Sequence, residues 1–377
     1  MTRRLLFYTH ALVDGGAERV SAVLASRLAA AGDDVVFVVD RAAGGNGPDL
    51  DPAVRLVVLS GGHAGNVLAL ARLLWRERPQ VAFSAAGGSN PKLALARLLA
   101  PVSGIRLVPT YHGFEDWKTG LLGNLAYRLA PLIARLSARV VAVSDALADA
   151  LVAEWGVPRA RIARIQNPVE TAPHPASATE IAGRPPIVLG IGRLSAEKDF
   201  VSLVRAFAAV TTPDARLVLV GDGPERGAIA AEIDRLGLSD RATLAGYVKD
   251  PTPFYGAARC LALASRTESF GNVVVEALSH GLPVVATATA GPVEILAGGR
   301  HGRLVPVGDV DALAGAIEAA LADPGDPETR AARAAEFSLE AGVAAYSRLI
   351  DEIIDGARPR PAQDASVLRS GRVEGGR

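Results

Sequence analysis

The chain has one cysteine in 377 residues and one methionine. A lone thiol forms no internal disulfide. Cys260 sits in the apolar run Cys260 to Ala264, so it reads as a buried structural residue of a protein kept in a reducing compartment. Aromatic residues supply 5% of the chain, and acids and bases balance at 40 each. Neither base stacking nor a global field therefore argues for nucleic acid. No stretch approaches the roughly 18 consecutive apolar residues of a membrane span. Leu5 to Tyr8, after a basic start, is too short for a signal-peptide core. Together these absences predict a cytoplasmic protein without an integral anchor. No H-E-x-x-H or paired Cys-x-x-Cys occurs, so nothing supports zinc. Asp49-Leu50-Asp51 is formally a D-x-D, but it lies in a Gly- and Pro-containing loop and reads as a solvated turn. Lysine is scarce too: Lys92, Lys118, Lys198 and Lys249 are the only four among 40 basic residues. Against that arginine bias, each lysine raises the question of whether a compact point charge is wanted.

What is present is an alternation. With 49% hydrophobic and 21% charged residues, the chain is globular and long enough for two cores. Leu5 to Thr9, Val35 to Val39, Leu56 to Leu59, Val81 to Ser84, Leu107 to Thr110 and Val140 to Ser144 read as strands. Helical patterns such as Ala17 to Ala31, Asn66 to Arg76 and Gly120 to Leu136 lie between them. Pro173 to Pro186, with four prolines, breaks the pattern as a linker would. The alternation restarts with strands at Ile187 to Gly192, Leu217 to Gly221, Ala242 to Gly246, Cys260 to Ala264, Val284 to Thr287 and Arg303 to Val305. The expected fold is α/β, two Rossmann-like doubly wound parallel-sheet domains. They span 1–172 and 187–356 about the linker 173–186, followed by a tail, 357–377, of disordered composition.

Charge is less even than its total. Between Ser60 and Val140, ten bases face three acids, Glu77, Glu115 and Asp116. The pattern Gly120 to Arg139 sets leucines at broad helical spacing with Arg128 and Arg135 on one face, near Arg72, Arg76, Lys92, Arg97 and Lys118. That surface suits either an anionic membrane or a core-facing helix with a solvated basic side.

Several strand ends carry chemistry-bearing residues. Asp14-Gly15-Gly16-Ala17-Glu18 opens the first helix, where paired glycines and free amides suit a phosphate or simply make a βα turn. Gly190-Ile191-Gly192-Arg193-Leu194-Ser195 approaches a dinucleotide fingerprint, but Ser195 stands at the third glycine. It offers Arg193 and Lys198 instead, a bidentate cation and a point charge suited to a diphosphate. Gly221-Asp222-Gly223-Pro224 and Gly246-Tyr247-Val248 turn on the same edge. His112 follows another strand and should face the interdomain cleft. Ser265 to Glu276 places Glu268 and Glu276 across a glycine turn, as a site or as a helix cap with one solvated glutamate.

In order, Gly192-Arg193-Leu194 with Lys198, Gly221-Asp222-Gly223-Pro224, Gly246-Tyr247-Val248, Glu268-Ser269-Phe270-Gly271 through Glu276-Ala277-Leu278, Gly281 to Thr287, and Gly308-Asp309 resemble the retaining nucleotide-sugar glycosyltransferases of family 4, of the GT-B fold. The first half matches more loosely, through Gly15-Gly16-Ala17-Glu18, His112, Ser144 and Asn167-Pro168. The resemblance implies a nucleotide-sugar donor, UDP- or GDP-linked, and a lipid-linked or cell-surface glycan acceptor held by the first domain. It implies no cofactor and no metal. Arg193 and Lys198 would bind the donor diphosphate, with Gly15, Gly16 and Gly192 close to the phosphates. Glu276 would hold the ribose, and the turn Tyr247, Val248 and Lys249 the base. Glu268 and the backbone of Phe270 and Gly271 would hold the sugar, with His112 beside it, and Ser269 and Asn272 would be further substrate-binding residues. The alternative from another class is a catalytically silent nucleotide-sugar binding or scaffold protein on the same fold. A nicotinamide dehydrogenase is disfavoured by Ser195 and by the lack of an acidic residue about 20 positions after Gly190.

Overall fold

The computed structural model describes residues 2–12, 16–41, 50–85, 88–114 and 127–356. Two wholly parallel sheets organise it. The first contains β1 (Arg4–Ala11), β2 (Asp34–Arg41), β3 (Arg55–Val58), β4 (Val81–Ala85), β5 (Arg106–Tyr111), β6 (Val140–Ala142) and β7 (Ile162–Arg164), in the order β3-β2-β1-β4-β5-β6-β7. The second contains β8 (Ile187–Ile191), β9 (Arg216–Val220), β10 (Ala242–Gly246), β11 (Cys260–Leu263), β12 (Val284–Thr287) and β13 (Arg303–Val305), in the order β10-β9-β8-β11-β12-β13. The strands are short β-branched runs because helices cover both faces. Val35 to Val39, for example, are all 4% exposed or less. In each sheet the strand order reverses beside the first strand, between β1 and β4 and between β8 and β11. Open parallel sheets bind ligands at such switch points, outside the carboxyl ends of the strands.

Three local expectations change. The three-residue β7 lacks any readable alternation and is found only through its pairing with β6. β6 stops at Ala142, because Ser144 turns out to cap the helix Asp145–Ala153, its Oγ accepting from Leu147 N at 3.3 Å. The proline-rich stretch between the sheets contains a helix, Ala178–Gly183, started by a capping box of Ser177 and Glu180. Its serine and glutamate at the right spacing were a readable signal that the prolines masked. Cys260 is fully buried, and burial pushes its thiol up to about 12. Residues 120–126 of the expected Gly120 to Leu136 helix, Asp49, Lys118 and the tail from 357 lie outside the described residues; a helix is described at Ala130–Leu136.

The last helix, Leu339–Asp355, crosses back from the second sheet to the first. Tyr346, Leu349, Ile350 and Ile353 join the core of Leu5, Phe7 and Phe83, with Tyr346 edge-on to Phe83 at 6.1 Å. Ile350 is fully buried there, so Ile350→Ala should cost about 2–5 kcal/mol in transfer and cavity energy. Urea unfolding checks this, and an unchanged midpoint would show that the helix contributes nothing to the first core.

Candidate active site

The carboxyl-end edges of the two sheets face each other across a cleft of about 900 Å³, within the range of small-molecule sites. From the second sheet, β8 delivers Gly192 and Arg193, and the turn that follows carries Lys198. The turn ends at Asp199, whose side chain accepts from Ser202 N at 3.3 Å to start the helix Phe200–Ala208. Lys198 Nζ donates to Glu268 Oε2. The resemblance assigns Lys198 to a phosphate and Glu268 to a sugar. The structure joins the two across the β8–β11 switch point as one ion pair, so each fixes the other's position. Gly221 has another purpose than ligand approach. A Cβ there would lie 1.9 Å from Gly192 O, and its φ is +138°, so glycine lets neighbouring strand ends interlock.

The stretch from Ser265 to Gly271 is clamped by its neighbours. Thr287 Oγ1 donates to Ser265 O at 2.6 Å, and Gly291 N to Glu268 O at 2.8 Å. Gly291 packs so closely that a Cβ would lie 1.9 Å from Phe270 O. The Phe270 ring is 2% exposed and edge-on to Phe337, which leaves backbone for a ligand. The helix Asn272–Ser279 starts at Gly271 with no side-chain cap, leaving its first amides open to an oxygen-rich group. Within that helix, Glu276 also lines the cleft and accepts from Tyr255 OH at 2.5 Å. Burial raises the Glu276 carboxyl above the usual range, and the Tyr255 hydroxyl offsets only part of this. Tyr255 escaped sequence reading because its contact is 21 residues away.

Two expected ligand residues stand elsewhere. Ser269 is 7% exposed, and its Oγ accepts from Phe114 N at 3.1 Å, so it ties the lobes together and is not among the residues that line the cleft. Lys249 is exposed and does not line the cleft, whereas Tyr247 and Val248 do.

From the first sheet, Gly16 begins the helix Gly16–Ala30 and faces Asn272, whose Nδ2 would lie 4.0 Å from a Cβ at Gly16. Gly15 and Asp14 lie outside the described residues. His112 follows β5 and lines the cleft, with Nδ1 enclosed and unpartnered. Burial pushes its imidazole down to about 4, partly offset by Asn167 alongside. Asn167 also reaches over the cleft, Nδ2 donating to Asn272 Oδ1 at 3.0 Å. Glu294 makes a further tie that the sequence did not announce, accepting from Asp145 N at 2.8 Å and Gln166 Nε2 at 2.7 Å. Lys92, grouped above with the surface bases, instead lines the cleft and pairs with buried Asp40 at 2.5 Å. Asp51 accepts from Ala53 N at 2.8 Å, as a turn residue does. Among the described residues, no three His, Cys, Asp or Glu side chains are placed to hold a metal ion.

Known proteins resemble this chain in sequence and in fold. The family model described as glycosyl transferases group 1 matches residues 185–323, and that described as glycosyltransferase family 4 matches residues 14–173. Two lipopolysaccharide core biosynthesis glycosyltransferases of Rhizobium meliloti, LpsE and LpsD, are 36% and 34% identical over 170 residues. Each match covers 44% of this chain and spans about half, 49%, of the relative's length. Among solved structures, Anabaena HepE in complex with UDP superposes with a TM-score of 0.75 at 22% identity, over 94% of this chain and 100% of that one. At that identity the likeness shows the fold, which is GT-B.

The enclosed imidazole makes stability depend on pH. The unfolded chain takes up a proton at His112 near 6.5, the folded chain only near 4. The unfolded state therefore binds more protons in that window, and stability is full above it and is lost as pH falls through it, by about 3 kcal/mol at most. Glu276 acts with the opposite sign, since its raised folded value favours the folded state at low pH. His112→Gln should therefore flatten the difference in unfolding free energy from pH 6.5 to 4 relative to the parent. Equal slopes in the two proteins would mean that the folded chain protonates His112 freely.

Proposed function

Because the chain belongs to the GT-B glycosyltransferases of family 4 type, we propose that it moves a sugar from a UDP- or GDP-sugar to a lipid-linked or cell-surface glycan. The acceptor is of lipopolysaccharide, exopolysaccharide or capsule type, the anomeric configuration is retained, and no metal or cofactor is required. The observation that carries this reading is the convergence of Arg193, the Lys198–Glu268 pair and the uncapped helix start at Asn272 on one side of a two-lobed cleft. The names of the two Rhizobium relatives and the UDP held by HepE point the same way.

In this mechanism charge develops on the departing nucleotide diphosphate. Arg193 binds it bidentately, and Lys198, already oriented by Glu268, supplies a point charge with donors to spare. Fixed cations and helix-start amides stabilise the leaving group without reorganising. Glu276 accepts from the ribose hydroxyls, the Tyr247–Val248 turn meets the base, and Gly16 lies against the phosphates. The sugar rests on Glu268, Asn272 and the backbone of Phe270 and Gly271. His112 beside it stays neutral at physiological pH, so it hydrogen-bonds without adding positive charge near the oxocarbenium-like carbon. A leaving-phosphate oxygen on the same face takes the acceptor proton, which is how retention arises without a dedicated base.

The reading extends to where the first lobe sits. Its helices His63–Glu77, Ser89–Leu99 and Ala130–Leu136 are neighbours and expose Leu68, Trp75, Leu95, Leu98, Leu99 and Leu132, the most open being Leu98 at 61%. Arg72, Arg76, Arg128 and Arg135 are exposed on the same helices or beside them. Glu77 is occupied by Arg55 and Arg76. An apolar face rimmed by arginine suits an anionic bilayer surface.

Thermal-shift screening with UDP-, GDP- and ADP-sugars identifies the donor, since a bound donor stabilises by mass action. With that donor, Lys198→Ala and Glu276→Ala should each lower kcat/KM on the order of 10²-fold or more. Turnover within a few-fold of the parent would remove these residues from the site. For the membrane face, the protein should sediment with phosphatidylglycerol vesicles at low salt, and Trp75→Ser with Leu98→Ser, or Arg72→Glu with Arg128→Glu, should release it. Failure of the parent to sediment, or sedimentation indifferent to all four changes, counts against a membrane-bound lobe.

A further inference from the structure

The first sheet repeats, at its own switch point, the device that the second sheet uses. In the second lobe a lysine and a carboxylate meet where the strand order reverses. In the first lobe, Lys92, on the helix after β4, meets Asp40, the next-to-last residue of β2, beside the end of β1. Asp40 is 1% exposed and accepts from three donors: Tyr8 OH at 2.7 Å, His10 Nδ1 at 2.8 Å and Lys92 Nζ at 2.5 Å. Arg41 Nη2 lies 3.0 Å from His10 Nε2. Burial by itself would raise the Asp40 carboxyl, but these hydrogen bonds outweigh it and hold the group below its usual range. Asp40 is therefore a fixed anion whose task is to position the donors around it.

Of these donors Lys92 has capacity left, whereas His10 is committed at both nitrogens, Nδ1 to Asp40 and Nε2 to Arg41. An ammonium has three hydrogens, and Asp40 takes one from Lys92. Lys92 and His10 both line the cleft, joined from the same lobe by His63 and Gly88. Among the described residues the cluster holds one carboxylate, Asp40, against two cations, Lys92 and, on the far side of His10, Arg41. Burying an ion pair is costly and is weak evidence for stability. In a chain that uses arginine for nine-tenths of its bases, a lysine at this place supplies a compact charge in a confined position.

We propose that Lys92, held in place by Asp40 with Tyr8 and His10, forms a second anion subsite, separate from Arg193 and Lys198, which holds a phosphate carried by the acceptor. The inference rests on the transfer reading above for the word acceptor. The chemistry it assigns is narrower: an acceptor whose phosphate docks in the first lobe while its hydroxyl reaches the sugar. That phosphate belongs either to a lipid diphosphate or to a water-soluble sugar phosphate.

The test is a calorimetric titration of the full chain with inorganic pyrophosphate. Two sites are expected. Arg193→Ala should weaken one and leave the other. Asp40→Asn combined with Lys92→Met, which avoids stranding the buried carboxylate, should weaken the second about tenfold or more and leave the first. Lys92→Arg keeps the charge and the partner of Asp40, and should retain the second site within a few-fold. A single site that responds only to Arg193, or a second site indifferent to Lys92, overturns the proposal. A Lys92-dependent site in the parent with no second site that responds to Arg193→Ala would sink the donor assignment and leave this one standing. Glucose 1-phosphate and a short-chain polyprenyl diphosphate then compete for the Lys92 site. Displacement by either supports the subsite and names its source, and displacement by neither overturns it.

Discussion

Every strand in both sheets runs parallel to its neighbours, and this constraint governs the molecule. Parallel pairing requires a crossover between strands, the crossovers share one hand, and so all carboxyl ends collect on one edge. Residues distant in the chain but alike in their place after a strand are thereby gathered on a single rim. Arg193 follows β8 and Glu268 follows β11; His10 is the next-to-last residue of β1 and Lys92 follows β4. When the two edges face each other, one cleft receives all of them. The chemistry of the site is a consequence of strand direction before it is a consequence of any side chain.

The rim is stiff because its loops are held by their neighbours. Gly221 lets one turn interlock with the next, and Gly291 brings a helix start against the backbone of Phe270. Thr287 and Gly291 donate to the carbonyls on either side of Arg266 and Thr267. Side chains at the cleft add to this rigidity: Phe114 N donates to Ser269, and Asn167 to Asn272. These ties run between the lobes, as does the last helix. A cleft built in this way orients a substrate through positions already fixed, which is the condition under which fixed dipoles and charges lower a barrier.

Charge in the cleft is arranged in pairs. Lys198 with Glu268 and Lys92 with Asp40 each place a cation where water is partly excluded and orient it with a carboxylate. Glu276 and His112 are treated differently: burial favours the protonated carboxyl and the neutral imidazole. The cleft therefore combines cations held by carboxylates with a neutral imidazole and a carboxyl whose burial favours its protonated form.

The sequence by itself determined the two parallel domains and most of the cleft rim of the second. Buried strands read as short apolar runs, and glycine turns after strands are local features, so Arg193, Lys198, Glu268 and Glu276 could be named before any contact was known. A three-residue strand such as β7 was not legible, since three residues show no period. Only the tertiary structure decided partners. Lys198 meets Glu268 70 residues away, Lys92 meets Asp40 52 away, and Ser269 meets Phe114 155 away. Such contacts depend on strand order and on how two edges face each other, and neither leaves a mark on the residues nearby in sequence. That is why Lys92 read as a surface base and Ser269 as a ligand residue until the fold placed them.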